Sequence, residues 1–183
     1  MAAGPQLLQA GRLQLRCVRR GDRYAHEVWL ADADGADVLL LTTEEGDDAT
    51  PWPPSPPLQN VHLEQRPGGA TVGLAVGMAG RSHWSLSVEA IPHGELRFDV
   101  ACRANQPPEG LGTVYRLGQD IAVGLDNHVA TLAGREETPL ALLSVDAGTT
   151  GLEATGTAAQ IPSPRAPEAR LSITPRAEAT QSP

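Results

Sequence analysis

Apolar residues fall on every second position through three consecutive segments of this chain. They are Val72, Leu74, Val76 and Met78, then Trp84, Leu86 and Val88, then Leu96, Phe98, Val100 and Cys102. Successive side chains of a strand point to opposite faces, so a sustained period of two with turn residues between segments specifies a half-buried antiparallel sheet. A helix would need apolar residues three and four apart, and no stretch of useful length has them. Shorter strand-like segments lie before this block, at residues 12–18, 23–30, 37–43 and 58–65. Others follow it, at 111–117, 121–125, 128–132, 140–145 and 152–155. The pattern predicts an all-β fold, an antiparallel two-sheet sandwich or supersandwich of about ten strands with no substantial helix.

A length of 183 residues suits one domain with its own core. The sandwich is expected over residues 1–160. Residues 161–183 carry five prolines and few large apolar side chains, which predicts a C-terminal tail with room for one edge strand at 170–174. Between residues 44 and 57 an acidic stretch leads into Pro-Trp-Pro-Pro-Ser-Pro-Pro. Proline fixes the backbone and removes donors, so this loop is expected to run extended over the surface, with Trp52 tucked against the body as an anchor.

Charge narrows the chemistry. All 14 basic residues are arginine, a composition expected of a GC-rich genome, and a Schiff-base or general-base lysine is excluded. Net charge is -8, which lacks the basic footprint of nucleic acid binding. No apolar run approaches the roughly 20 residues that span a bilayer, and no signal-like apolar stretch opens the sequence, so no membrane is expected and the cytoplasm is the expected location. Cys17 and Cys102 lie far apart without metal-ligand spacing, which predicts two reduced, buried hydrophobes and no metal site. GxSxG and GxxxxGK[ST] motifs are absent, and no cofactor is expected. His26 is expected on a strand and His93 and His128 at turns, all three as surface residues.

Cross-strand pairing assigns faces. The turn Pro92-His93-Gly94, with glycine at the position that favours positive φ, pairs Val88 with Phe98, Leu86 with Val100 and Trp84 with Cys102. The opposite face then holds Glu89 beside Arg97, Ser87 beside Asp99 and His83 beside Arg103. A three-residue loop at Ala79-Gly80-Arg81 would pair Val76 with Trp84 and Leu74 with Leu86. That register turns Gly73, Ala75 and Gly77 outward as the floor of a groove walled by His62 and Glu64 on one side and His83, Ser85 and Glu89 on the other. Asn60 joins the same face, Ser87 stands in the second wall, and Arg97, Asp99 and Arg103 extend it. Of these, His62, Glu64, His83, Ser85, Glu89, Arg97 and Asp99 are the candidate ligand-binding set, suited to gripping hydroxyl groups.

Residues 72–103, with polar side chains on one face of long strands and a His-x-Ser-x-Ser-x-Glu line, resemble the supersandwich of galactose-mutarotase-like proteins. The resemblance implies carbohydrate binding on a sheet face, and in epimerase members a histidine acid with a glutamate base. No catalytic pair maps onto particular residues here. The expected function is a non-catalytic binding or interaction module with carbohydrate or another polar small molecule as ligand. An aldose-epimerase-like enzyme is the alternative, and a structural domain that meets a protein partner by edge-strand pairing is the third reading.

Overall fold

Strands alone, and no helix, make up the secondary structure of the computed structural model, which describes residues 6–31, 36–47, 49–91, 94–104, 112–126, 129–134, 139–145 and 170–179. Five strands form one sheet in the order β1-β2-β3-β4-β9: β1 Gln6–Ala10, β2 Leu13–Arg20, β3 Arg23–Leu30, β4 Val38–Thr43 and β9 Tyr115–Leu117. The other eight form a sheet in the order β10-β11-β12-β13-β8-β7-β6-β5. These are β5 Asn60–Gln65, β6 Thr71–Ala79, β7 Ser82–Ile91, β8 Glu95–Ala104, β10 Ala122–Asp126, β11 Val129–Ala133, β12 Pro139–Val145 and β13 Arg170–Ala179. The predicted all-β sandwich is the observed fold. Leu8, Leu15, Val28 and Leu41 on the first sheet, with Leu86, Val88, Phe98 and Val100 on the second, join one buried cluster between the sheets.

The register between β7 and β8 is the one read from the sequence. Val88 pairs with Phe98, Leu86 with Val100, Trp84 with Cys102, Glu89 with Arg97, Ser87 with Asp99 and His83 with Arg103. Gly94 has φ 88°, as its place at the end of the turn requires. Cys17 and Cys102 are free and buried on opposite sheets, and burial pushes the Cys17 thiol up to about 11.

Between β6 and β7 the register differs by one residue from the expected one. Ala79 pairs with Ser82, Gly77 with Trp84, Ala75 with Leu86 and Gly73 with Val88. The turn has two central residues, Gly80 and Arg81, and Gly80 takes φ 55°, the first-position glycine of a II′ hairpin. A slip of one flips every side chain. Gly73, Ala75 and Gly77 therefore face the other sheet and are buried, while Val76 and Met78 stand outside, 53% and 45% exposed. Space explains the inversion. A methyl group on Gly77 would land on the Pro57 carbonyl oxygen, and one on Gly73 would touch Leu63 and Leu8, so the inner side of β6 has room only for small residues.

Pro57 belongs to the proline-rich loop, which is buried along much of its length and does not lie on the surface as expected. Pro53, Ser55, Pro56, Pro57 and Leu58 are all buried. The loop ties the sheets together: the amide of Tyr24 donates to Leu58 (2.6 Å), that of Gln59 to Val76 (2.8 Å) and that of Val114 to Pro54 (3.0 Å). Trp52 packs against the core, in keeping with its expected anchoring role.

A strand does form where residues 170–174 were expected to add an edge, but it is longer and interior. β13 runs parallel to both β12 and β8. Parallel neighbours require a long crossover, and the 24 residues between Val145 and Arg170 are enough to supply one. Pro175 falls after Ile173, the last residue paired with β12, so it pairs on one side only. The strand expected at 152–155, His93, His128 and the remainder of the tail lie outside the described residues.

Candidate functional site

On the outer face of the eight-stranded sheet, alternation brings every candidate residue to the same side. His62 and Glu64 project from β5, His83, Ser85 and Glu89 from β7, and Arg97 and Asp99 from β8, each exposed or half-buried. They do not form one cluster. β6 separates β5 from β7, which is roughly 10 Å at two strand spacings, and His83 lies six residues from Glu89 along one strand, roughly 20 Å. Arg97 is held by carboxylates, 3.5 Å from Glu95 and 3.9 Å from Glu89.

A shallow depression of about 630 Å³ opens at the end of this face near the β6–β7 turn. Its lining among the described residues includes Asn60, Val76, Met78, His83, Ser85 and Arg103, so it gathers His83 and Ser85 from the candidate set and omits His62, Glu64, Glu89, Arg97 and Asp99. The volume is that of a small-ligand site, and the mix of apolar wall and a few polar groups is the usual composition. Gln59 fixes its border, with its side-chain amide receiving the Met78 N–H at 3.2 Å and donating to the Met78 carbonyl at 3.4 Å. Sequence reasoning set Asn60 and Arg103 on this face but outside the ligand set, and it missed Val76 and Met78, which it turned inward. The two-residue Gly-Arg turn was the signal that would have placed Val76 and Met78 outside.

A second polar group lies inside the sandwich, where His26 is buried and not on the surface as expected. Register aligns Gln6, Cys17, His26, Thr43 and Tyr115 across the five-stranded sheet. The His26 amide donates to Thr43 Oγ1 at 3.0 Å, and His26 Nε2 lies 2.7 Å from the Tyr115 hydroxyl. Thr43 in turn donates to Glu45 Oε1 at 2.6 Å. Phe98 of the facing sheet stands 5.6 Å from the imidazole, ring centre to ring centre. Desolvation holds His26 down to about 4 and pushes Tyr115 and Glu45 up, so the imidazole and phenol are neutral at pH 7 and share a hydrogen bond. With His26 buried and Tyr115 half-buried, the pair satisfies polar atoms between the sheets.

On the outer face of the five-stranded sheet the Arg16 guanidinium lies 4.5 Å over the Trp29 ring and covers it. Among the described residues no group of three or more His, Cys, Asp or Glu could hold a metal ion, and no helix is long and apolar enough to cross a membrane. No protein-family model matches the chain, and neither does a curated protein or a solved structure.

Proposed function

We propose that this chain is a non-catalytic binding module that takes a polar, sugar-sized ligand on the outer face of its eight-stranded sheet, in the cytoplasm, where its two free thiols are at home. The depression carries the reading. It offers an amide, an imidazole, a hydroxyl and a guanidinium around an apolar wall of Val76 and Met78, which suits a ring with polar edges and an apolar face. The same geometry argues against the epimerase-like alternative, because general acid and base must reach one substrate and the candidate histidines and glutamates are dispersed along and across strands. A two-sheet all-β architecture is what a galactose-mutarotase-like ancestry requires, yet it is common to sandwiches of many functions. The support for carbohydrate therefore comes from the lining itself.

A monosaccharide and glycan binding screen tests the reading with wild type, His83→Ala and Glu89→Ala. Binding that weakens in His83→Ala and persists in Glu89→Ala is expected, since Glu89 stands outside the depression. Equal loss in both variants would move the site elsewhere on the face. Turnover of a bound sugar would favour the enzyme, and the absence of any binding would leave a protein partner as the reading to pursue.

A further inference from the structure

Among the described residues, β13 alone joins the two halves of the eight-stranded sheet. On one side β5, β6, β7 and β8 form a meander in which each strand pairs antiparallel with the next, and on the other side β10, β11 and β12 do the same. β8 and β12 do not pair with each other. Each instead pairs in parallel with β13, over ten residue pairs and four respectively, so the meanders present two strand edges with a slot between them. The slot is matched to this segment. Leu171 and Ile173 stand in register with Leu96 and Phe98, which are buried, and residues paired across a ladder share a face. Connectivity does not dictate which copy fills the slot. Arg170 pairs with Leu142, three residues before the end of β12 at Val145, so the gap to be bridged is roughly 11 Å. The 24 residues between Val145 and Arg170 can extend roughly 80 Å, and the local concentration a tether provides falls as its length exceeds the span.

We infer that the slot between β8 and β12 accepts β13 of a second copy of this chain, so that two copies assemble by exchanging their C-terminal strands. The meanders are built from hairpins between neighbouring segments, whereas β13 pairs across a long crossover, and non-local pairings of that kind form late. A chain with its meanders formed therefore presents the open slot to its own β13 and to that of a neighbour alike. Two unpaired edges drive capture, because each templates pairing with a suitable strand. Exchange reproduces the strand pairing of the single chain without a new fold, which makes it a low-cost route to a dimer. The inference is independent of the ligand proposed for the outer face.

Cross-linking at a pair that spans the slot identifies which chain fills it. Arg97→Cys and Ser172→Cys are placed together in the full chain at positions paired in register, close enough for a disulfide. The protein is refolded from urea at low and at high concentration, oxidised mildly, and run on a denaturing gel without reductant after free thiols are blocked. The link should close within one chain at low concentration and yield a band of twice the mass at high concentration. Deleting residues 150–165 in the same variant leaves eight residues between Val145 and Arg170, fewer than the dozen a parallel crossover needs. Eight extended residues still reach roughly 26 Å, so this shortened chain should form a dimer by light scattering at every concentration, with the link joining two chains. A link within one shortened chain, a dimer whose chains separate on the gel, or no link at all overturns the inference. Should the shortened chain fail to fold, the full chain decides: a band of twice the mass at high concentration supports exchange, and a monomer there overturns it.

Discussion

Gly73 and Gly77 lie four residues apart on β6, face the same way, and lack side chains for opposite reasons. Beside Gly73 is a dry void of about 10 Å³ lined by Leu8, Leu15, Cys17, Val61, Leu63, Ala75, Leu86 and Val88. A methyl group there would meet Leu63 at 3.5 Å and Leu8 at 4.0 Å, which is ordinary contact. Gly73→Ala should therefore stabilise the protein by about 0.5–1 kcal/mol, through a less flexible unfolded chain and a filled gap. Gly77→Ala drives a methyl into the Pro57 carbonyl and should cost at least about 2 kcal/mol, as overpacking against backbone does. Urea unfolding of the two variants checks the signs. Two substitutions of equal effect would mean that these glycines do not face the interior. In the sequence the same residues look like an outward strip, because Val72, Leu74, Val76 and Met78 are the larger hydrophobes and parity assigns them to the core. What reverses the assignment is a carbonyl contributed by a loop some 20 residues earlier, and local pattern holds no trace of that contact.

Turn chemistry decides which elements were legible. The β7–β8 hairpin could be placed because loop length, a terminal glycine and the Glu89–Arg97 pairing agree on one register. β1 escaped notice, and β6 was set one residue out, for a shared reason. Gly11-Arg12, Gly21-Asp22 and Gly80-Arg81 each begin a two-residue hairpin turn whose glycine has positive φ, the II′ pattern. Recognising that repeated signal would have revealed β1 across the Gly11 turn and set β6 correctly. The interior place of β13 is illegible for a different reason: parallel pairing depends on a crossover and not on a turn. It makes a strong prediction. A chain ending at residue 160 would leave β8 and β12 with open edges where ten and four residue pairs respectively now form. Unpaired edges of this kind template aggregation. The shortened chain should melt at lower temperature and self-associate, which scanning calorimetry and light scattering would report. An unchanged midpoint and a monomeric shortened chain would show that β13 adds nothing to the sheet.

For the molecule as a whole, stability at moderate acidity turns on the polar rank between the sheets. Beside it the same sheet presents Leu8, Leu15, Val28, Leu41 and Leu117 in register, so closing the sandwich strips water from His26 and places it against Phe98. Burial lowers the imidazole from its ordinary 6.5 to about 4. Above pH 6.5 the imidazole is neutral whether the chain is folded or not, and its burial carries no proton-linked penalty. Below 6.5 the unfolded chain takes up a proton that the folded one refuses until about pH 4, so stability declines across that window, by about 3 kcal/mol in total. Glu45 works in the opposite sense, because burial raises its carboxyl and the fold then favours the protonated form as pH falls. Asp22 and Asp47, both lowered from 3.8, lose their contributions only below this window. Comparing wild type with His26→Gln removes the acids from the result, since both proteins share them. The variant should be less stable at pH 7.5, where it loses a fitted partner for Tyr115. Its deficit should then shrink by about 1.4 kcal/mol for each pH unit between 6 and 4.5, read from urea midpoints at several pH values. Parallel stability curves for the two proteins would mean that His26 is solvated in the folded state and that the sheets do not close over it.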